Sequence, residues 1–136
     1  MNHPPPFRVI IAGSRGFTDF VALCAYTDKV LARKAQEGQI IIVSGHCQGA
    51  DLMGEQYARM RGYGTDLHPA EWTRYGRAAG PRRNREMALC ADALIAFWDG
   101  QSRGTKNMID EARAAGLPVR VYQYKKRVEG LTLHRF

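Results

Sequence analysis

Hydrophobic positions along this chain follow two alternating periods. Apolar or β-branched runs recur at Phe7 to Ala12, Ile40 to Val43, Thr65 to His68, Ala93 to Trp98 and Pro118 to Gln123. Each is short enough for a strand and is bounded by small or turn-forming residues. The continuous runs, F-R-V-I-I-A, I-I-I-V and A-L-I-A-F-W, predict strands buried on both faces, as in a parallel sheet. Helical spacing fills the intervals. Asp19 caps a helix in which Phe20, Cys24, Thr27 and Leu31 recur, ending near Gly38. Ala50 to Arg61 predicts a second helix, with Met53, Tyr57 and Met60 on one stripe. Pro81 suits the first position of a third, running through Ala91. Gly104 to Ala115 makes a fourth, closed by Gly116 and Pro118. Alternating strands and helices imply an α/β, Rossmann-like three-layer sandwich around a central, mostly parallel five-stranded sheet.

A chain of 136 residues fits a single domain, 1–136, with residues 1–6 (M-N-H-P-P-P) as a disordered lead and 125–136 as a basic, peripheral tail. It holds no internal repeat or linker, and no apolar run approaches the roughly 18 residues of a membrane span. The lead lacks the apolar centre of a signal peptide. Cys24, Cys47 and Cys90 are odd in number and show no C-x-x-C or zinc-ligand spacing. They read as reduced thiols of a cytoplasmic protein, with no metal and no cofactor expected.

Charge narrows the set of partners. The formal net charge of +7 favours anions such as nucleotides or nucleic acid. Arg74, Arg77, Arg82, Arg83 and Arg85 crowd together, and arginine grips phosphate oxygens bidentately. Gly80-Pro81-Arg82-Arg83-Asn84-Arg85 puts three cations into the first turn of the expected third helix. The helix macrodipole opposes each there by about 0.3–1 kcal/mol, and a docked anion would reverse that sign.

In doubly wound sheets, ligands bind beyond the carboxyl ends of the strands, which directs attention to three loops. In the first, Gly13, Ser14, Arg15 and Phe17 follow a buried strand. Glycine lets a backbone approach a ligand, while hydroxyl, N–H and guanidinium groups donate to anions. In the second, Ser44, Gly45 and Gly49 precede Asp51 and Glu55, which stand four apart on one helix. The two carboxylates either grip ribose hydroxyls and activate water, or Asp51 favours the helix N-terminus while Glu55 pairs with Arg59. His46 reads as a polar loop residue, with no second histidine at metal-ligand spacing. In the third, Gly100, Ser102, Gly104 and Thr105 follow Asp99 and could wrap a phosphate at a helix start. That loop matches neither G-x-x-x-x-G-K-[ST] nor G-x-G-x-x-G.

The loops are more specific in combination. The order G-S-R-x-F-x-D, S-G-x-x-x-G-A-D-x-x-G-E, W-x-x-Y-G-x-x-A-G-x-x-R-N-x-x-M and A-D-A-L-I-A-F-W-D-G-x-S-x-G-T resembles the YspA-like branch of the SLOG superfamily, over Phe7 to about Tyr122. Its relatives include LOG-type phosphoribohydrolases, which cleave the base from nucleoside 5′-monophosphates, and the single-stranded DNA-binding protein DprA. The resemblance carries the LOG catalytic arginine onto Arg83, in R-N-R-E-M, but the position of the LOG glutamate is occupied by Met108. It also implies a homodimer.

The resulting expectation is a domain that binds or senses a nucleotide or nucleotide-derived small molecule. Gly13, Ser14, Arg15, Phe17, Ser44, Gly45, Gly49, Arg83, Asn84, Asp99, Gly100, Ser102, Gly104 and Thr105 are its candidate ligand-binding residues. Trp72 or Trp98 could stack on a base. The alternatives are an N-glycosidase using Glu55, Asp51, Arg83 and Asp99, since a carboxylate stabilises the developing ribosyl cation, and a single-stranded nucleic-acid binder. No membrane partner is expected.

Overall fold

The computed structural model describes residues 4–125; the rest of the lead and of the basic tail lie outside the described residues. The strands are β1 (Phe7–Gly13), β2 (Ile40–Ser44), β3 (Gly64–Leu67), β4 (Ala93–Trp98) and β5 (Val119–Gln123). The helices are α1 (Phe20–Glu37), α2 (Ala50–Arg61), α3 (Trp72–Tyr75), α4 (Ala79–Cys90) and α5 (Arg103–Ala114), with a 3₁₀ turn over Gly76–Ala78. All strand pairs are parallel, in the order β3-β2-β1-β4-β5.

The central strand shows why continuous apolar runs mean two buried faces. Val9 and Ile11 pack with Leu23, Leu31, Ile42, Tyr57 and Phe97 under α1 and α2. Ile10 and Ala12 point the other way, onto Met87, Met108 and Ile109 of α4 and α5. Successive residues of a strand face opposite sides, so one run feeds both cores. The layers are also tied by polar contacts. The Tyr57 hydroxyl donates to Asp28 on α1 at 2.6 Å, and Arg61 grips the same carboxylate at 2.8 and 3.0 Å. Tyr57→Phe is expected to cost roughly 1.5 kcal/mol, the scale of a hydrogen bond to a charged group, read as a lower urea midpoint; an unchanged midpoint would show that Arg61 alone satisfies Asp28.

Helix boundaries follow local chemistry. The Asp19 side chain accepts from the Ala22 N–H at 2.9 Å and so caps α1. Gly62 ends α2 in the left-handed conformation, φ 74°. Two expectations need correction. On α2 the inward face is Ala50, Asp51, Gly54, Glu55, Tyr57 and Ala58, while Met60 is exposed. Both carboxylates therefore turn into the protein, and of the expected stripe Met53 and Tyr57 pack on the core while Met60 does not. Before α4, the additional helix α3 and the 3₁₀ turn carry the chain helically into Ala79, so Pro81 is the third helical residue. Arg83 and Arg85 accordingly lie beyond the first turn, where the macrodipole penalty has faded.

Candidate functional site

Strand order reverses between β1 and β4, whose connections leave in opposite directions. At their carboxyl ends a cleft of about 920 Å³ opens, of the size that small-molecule sites occupy. Its walls are the loop after β1, the loop after β4, the start of α5 and the inner side of α4, together with Cys47, Asp51, Trp72 and Tyr124. Gly13, Ser14, Arg15, Asp51, Arg83, Asn84, Asp99, Ser102, Gly104 and Thr105 all line it. Glu55, Phe17, Ser44, Gly45, Gly49 and Gly100 are not among its lining residues.

The third loop is organised by its own aspartate. Asp99 Oδ1 accepts from the N–H groups of Gln101 at 2.9 Å and Ser102 at 2.7 Å, so those donors are already engaged within the loop. The Ser102 hydroxyl meets Thr105 Oγ1 at 3.2 Å and makes no capping hydrogen bond to α5. The first-turn N–H groups of an α-helix have no intrahelical acceptor. In α5 these are Arg103, Gly104 and Thr105, all of which line the cleft. This loop is locked to the first by Ser14, whose N–H donates to the Phe97 carbonyl at 2.9 Å and whose Oγ accepts from the Asp99 N–H at 3.2 Å.

On the opposite wall stand Asp51 and Arg83. Both reach within 3 Å of where a Cβ on Gly45 would sit, at 2.8 Å and 2.6 Å respectively, so the two charges face each other across Gly45 without a direct hydrogen bond. Asp51 is 5% exposed. Burial pushes its carboxyl up to about 6, against the opposing pull of the Arg83 charge and of N–H groups from Cys47 and Gly13. Arg83 is used as a staple. Its Nη1 donates to the carbonyls of Gly45 at 2.7 Å and His68 at 3.4 Å, and its Nε donates to Asn84 Oδ1 at 2.8 Å. Asn84 in turn donates to Asn107 Oδ1 at 2.9 Å, which fixes α4 against α5.

Glu55 takes a different place. It is 5% exposed, and its Oε2 accepts from Ser44 Oγ at 2.7 Å and faces His46 Nδ1 at 2.9 Å. His46, rather than Arg59, is its hydrogen-bond partner, and His46 itself adopts a left-handed φ of 60° to reach it. Phe17 lies in the core, in a ring cluster with Phe97 and Tyr124. Gly49 turns at φ 83° against the Ser14 and Arg15 carbonyls, where a Cβ would fall 2.4 and 2.7 Å from the two oxygens. The arginine cluster divides as well. Arg82 and Arg74 lie over the Tyr75 ring at 4.2 and 4.9 Å, and of the five only Arg83 lines the cleft. Trp98 donates to the Ser102 carbonyl at 3.1 Å, whereas Trp72 lines the cleft and is 47% exposed. Residue-level reading passed over Cys47, Asn107 and Tyr124. None carries a motif, and only tertiary structure brings them to the cleft.

Fold and cleft together define a Rossmann-like α/β domain with a polar site at its strand-order reversal. Within that class the chain belongs to the YspA, cpYpsA-related SLOG family, which it matches over residues 7–75. The matched region contains the first two loops and Asp51; Arg83 and the third loop follow it. The chain is 36% identical over 119 residues to the Gene 61 protein of Mycobacterium phage D29, an alignment covering 82% of this chain and 93% of that protein. Among solved structures it resembles DNA processing protein A (DprA) of Streptococcus pneumoniae, with a TM-score of 0.61 and 20% identity over 85% of this chain and 50% of that one. DprA of Helicobacter pylori, solved in a study of its single-stranded DNA binding mode, gives a TM-score of 0.56 and 19% identity, covering 85% of this chain and 65% of that one. The chain thus spans between half and two thirds of these two proteins, and at such identities the likeness is one of fold. Among the described residues, no helix is long and apolar enough to cross a membrane.

Proposed function

We propose that the cleft binds a nucleotide or nucleotide-derived molecule, in a binding or sensing role. The observation that carries this reading is the arrangement of the α5 N-terminus. Its uncapped N–H groups, the Ser102 and Thr105 hydroxyls and the exposed Arg15 and Arg103 line one end of the cleft. Together they form a set of donors suited to a phosphate. Arg83 already serves three protein acceptors, so its contribution is to hold the walls and to balance Asp51. In this reading Asp51, lining the cleft, receives a ribose hydroxyl, and the half-exposed Trp72 stacks on a base. The DprA fold and the +7 charge also fit a nucleic-acid ligand.

One observation keeps the N-glycosidase reading alongside. Asp51 lines the cleft with its carboxyl raised to about 6, in the range of a general acid or base at neutral pH. Met108, 2% exposed, supplies no carboxylate on the opposite side, and Glu55 is held away by Ser44 and His46.

Mass spectrometry of small molecules that co-purify with the protein, followed by a thermal-shift panel of nucleoside phosphates and ADP-ribose, tests the proposal. A ligand at 100 times its dissociation constant stabilises by about 2.7 kcal/mol. Absence of any shift across the panel would remove the nucleotide reading. Free base released from a monophosphate, and lost in Asp51→Asn, would establish the hydrolase. Affinity that grows with oligonucleotide length and falls steeply with salt would move the function to single-stranded nucleic acid.

A further inference from the structure

Away from the cleft, three side chains with metal-binding chemistry converge. Asp66 on β3, His68 just beyond it and Cys90 at the last position of α4 each present one donor atom, and the three atoms lie within 4.8 Å of one another. His68 Nε2 is 3.0 Å from Asp66 Oδ2 and 3.8 Å from Cys90 Sγ. Zinc bonds of about 2.0–2.3 Å set donor separations of roughly 3.3–3.6 Å in a tetrahedron, so these side chains need only small adjustments to share one ion.

We infer that Asp66, His68 and Cys90 form a binding site for a thiophilic divalent cation of the zinc class. One nitrogen, one sulfur and one carboxylate oxygen select a borderline metal over magnesium or calcium, and a solvent molecule would complete four-coordination. The donors are set on anchored backbone. The His68 N–H donates to the Ser44 carbonyl at 2.7 Å, and its own carbonyl accepts from Arg83. The Cys90 carbonyl accepts from Arg8 Nε at 2.6 Å.

Arg8 is the group a metal must coexist with. Its Nη2 bonds Asp66 and lies 3.8 Å from Cys90 Sγ. Arg8 and His68 both meet Asp66 at Oδ2, so Arg8 must move to Oδ1 for Oδ2 to face the ion. On binding, Cys90 loses its thiol proton to solvent, and His68 carries its proton on Nδ1 so that Nε2 can coordinate. The charges then are a dication and Arg8 against a thiolate and a carboxylate. The expected absence of a metal site rested on ligand spacing. Here two ligands sit two apart at a strand end, and the third arrives 22 residues after His68 by way of α4.

The consequence is a clasp. Strand β3 is a short, largely exposed edge, and coordination would tie it to the end of α4. Cobalt(II) titration of the full, metal-stripped chain tests this, because thiolate coordination gives a near-ultraviolet charge-transfer band and tetrahedral geometry gives intense visible bands. The expected result is saturation at one equivalent, displacement by zinc, loss of the charge-transfer band in Cys90→Ser and weakening in His68→Ala. Cys24→Ser and Cys47→Ser should retain the band. No band in the wild-type protein overturns the site whatever the variants do, and a band that follows Cys24 or Cys47 assigns the metal elsewhere.

Discussion

Asp51→Asn is expected to gain stability relative to the wild type as pH rises from 4 to 6, and to hold that gain at pH 7 while losing affinity for the ligand. The native carboxyl, pushed up to about 6 by burial, binds its proton more tightly than an unfolded aspartate near 3.9. Between those values the native state holds more protons than the unfolded state, so stability falls as pH rises through the window. Above it the cost is constant. A rise of about two pH units corresponds to roughly 3 kcal/mol, and asparagine would be free of it. Its amide also faces the Cys47 N–H at a position now accepting at 3.3 Å, which offsets part of the gain by a fixed amount. The pH slope is unaffected by that offset.

The wild-type profile alone would not isolate the effect. Asp28 and Asp66 are both held below the usual carboxylate range, so they lend stability above their unfolded values that is lost as pH falls through the native ones. Subtracting matched urea titrations of wild type and Asp51→Asn at each pH cancels those contributions. A difference that grows by about 2–3 kcal/mol between pH 4 and 6 is the expected result. A difference flat in pH would mean that Asp51 titrates normally and has no special place in the cleft.

Why the fold was readable and the site only partly so has a common cause. Hydrophobic runs such as I-I-I-V and A-L-I-A-F-W are buried on both faces, so their strands need no tertiary information to be recognised. Asp19 caps α1 through atoms three residues away, another local signal. The face of α2 is different, because periodicity assumes that carboxylates point to water. Asp51 and Glu55 turn inward since their partners, Arg83, Ser44 and His46, lie on other elements. Residue pattern alone left Arg83 among five similar arginines; the LOG resemblance picked it out, and the fold turns it toward Gly45 while leaving Arg82 over Tyr75. In the third loop, composition revealed the serine and glycines but not that Asp99 would engage two of the backbone donors itself. The remaining donors are the helical ones, one step further along the chain.

Arg83→Met should cost roughly 3 kcal/mol at pH 7, with a cost that depends on the state of Asp51. Methionine keeps an unbranched apolar stem beside α4 but withdraws the bonds to Gly45, His68 and Asn84. Losing a charged donor from several part-buried acceptors accounts for most of that figure. The rest is electrostatic. The Arg83 charge is the foremost influence holding the Asp51 carboxyl down against burial, so its removal moves that carboxyl further up and leaves a buried anion less compensated. A double-mutant cycle separates the two parts. In an Asp51→Asn background the same substitution should be cheaper by about 1 kcal/mol at pH 7. In the wild-type background, lowering the pH toward 5 protonates Asp51 and should bring the cost down to the asparagine value. Equal costs in both backgrounds at pH 7 would reduce Arg83 to a backbone staple and remove the charge pair from the cleft.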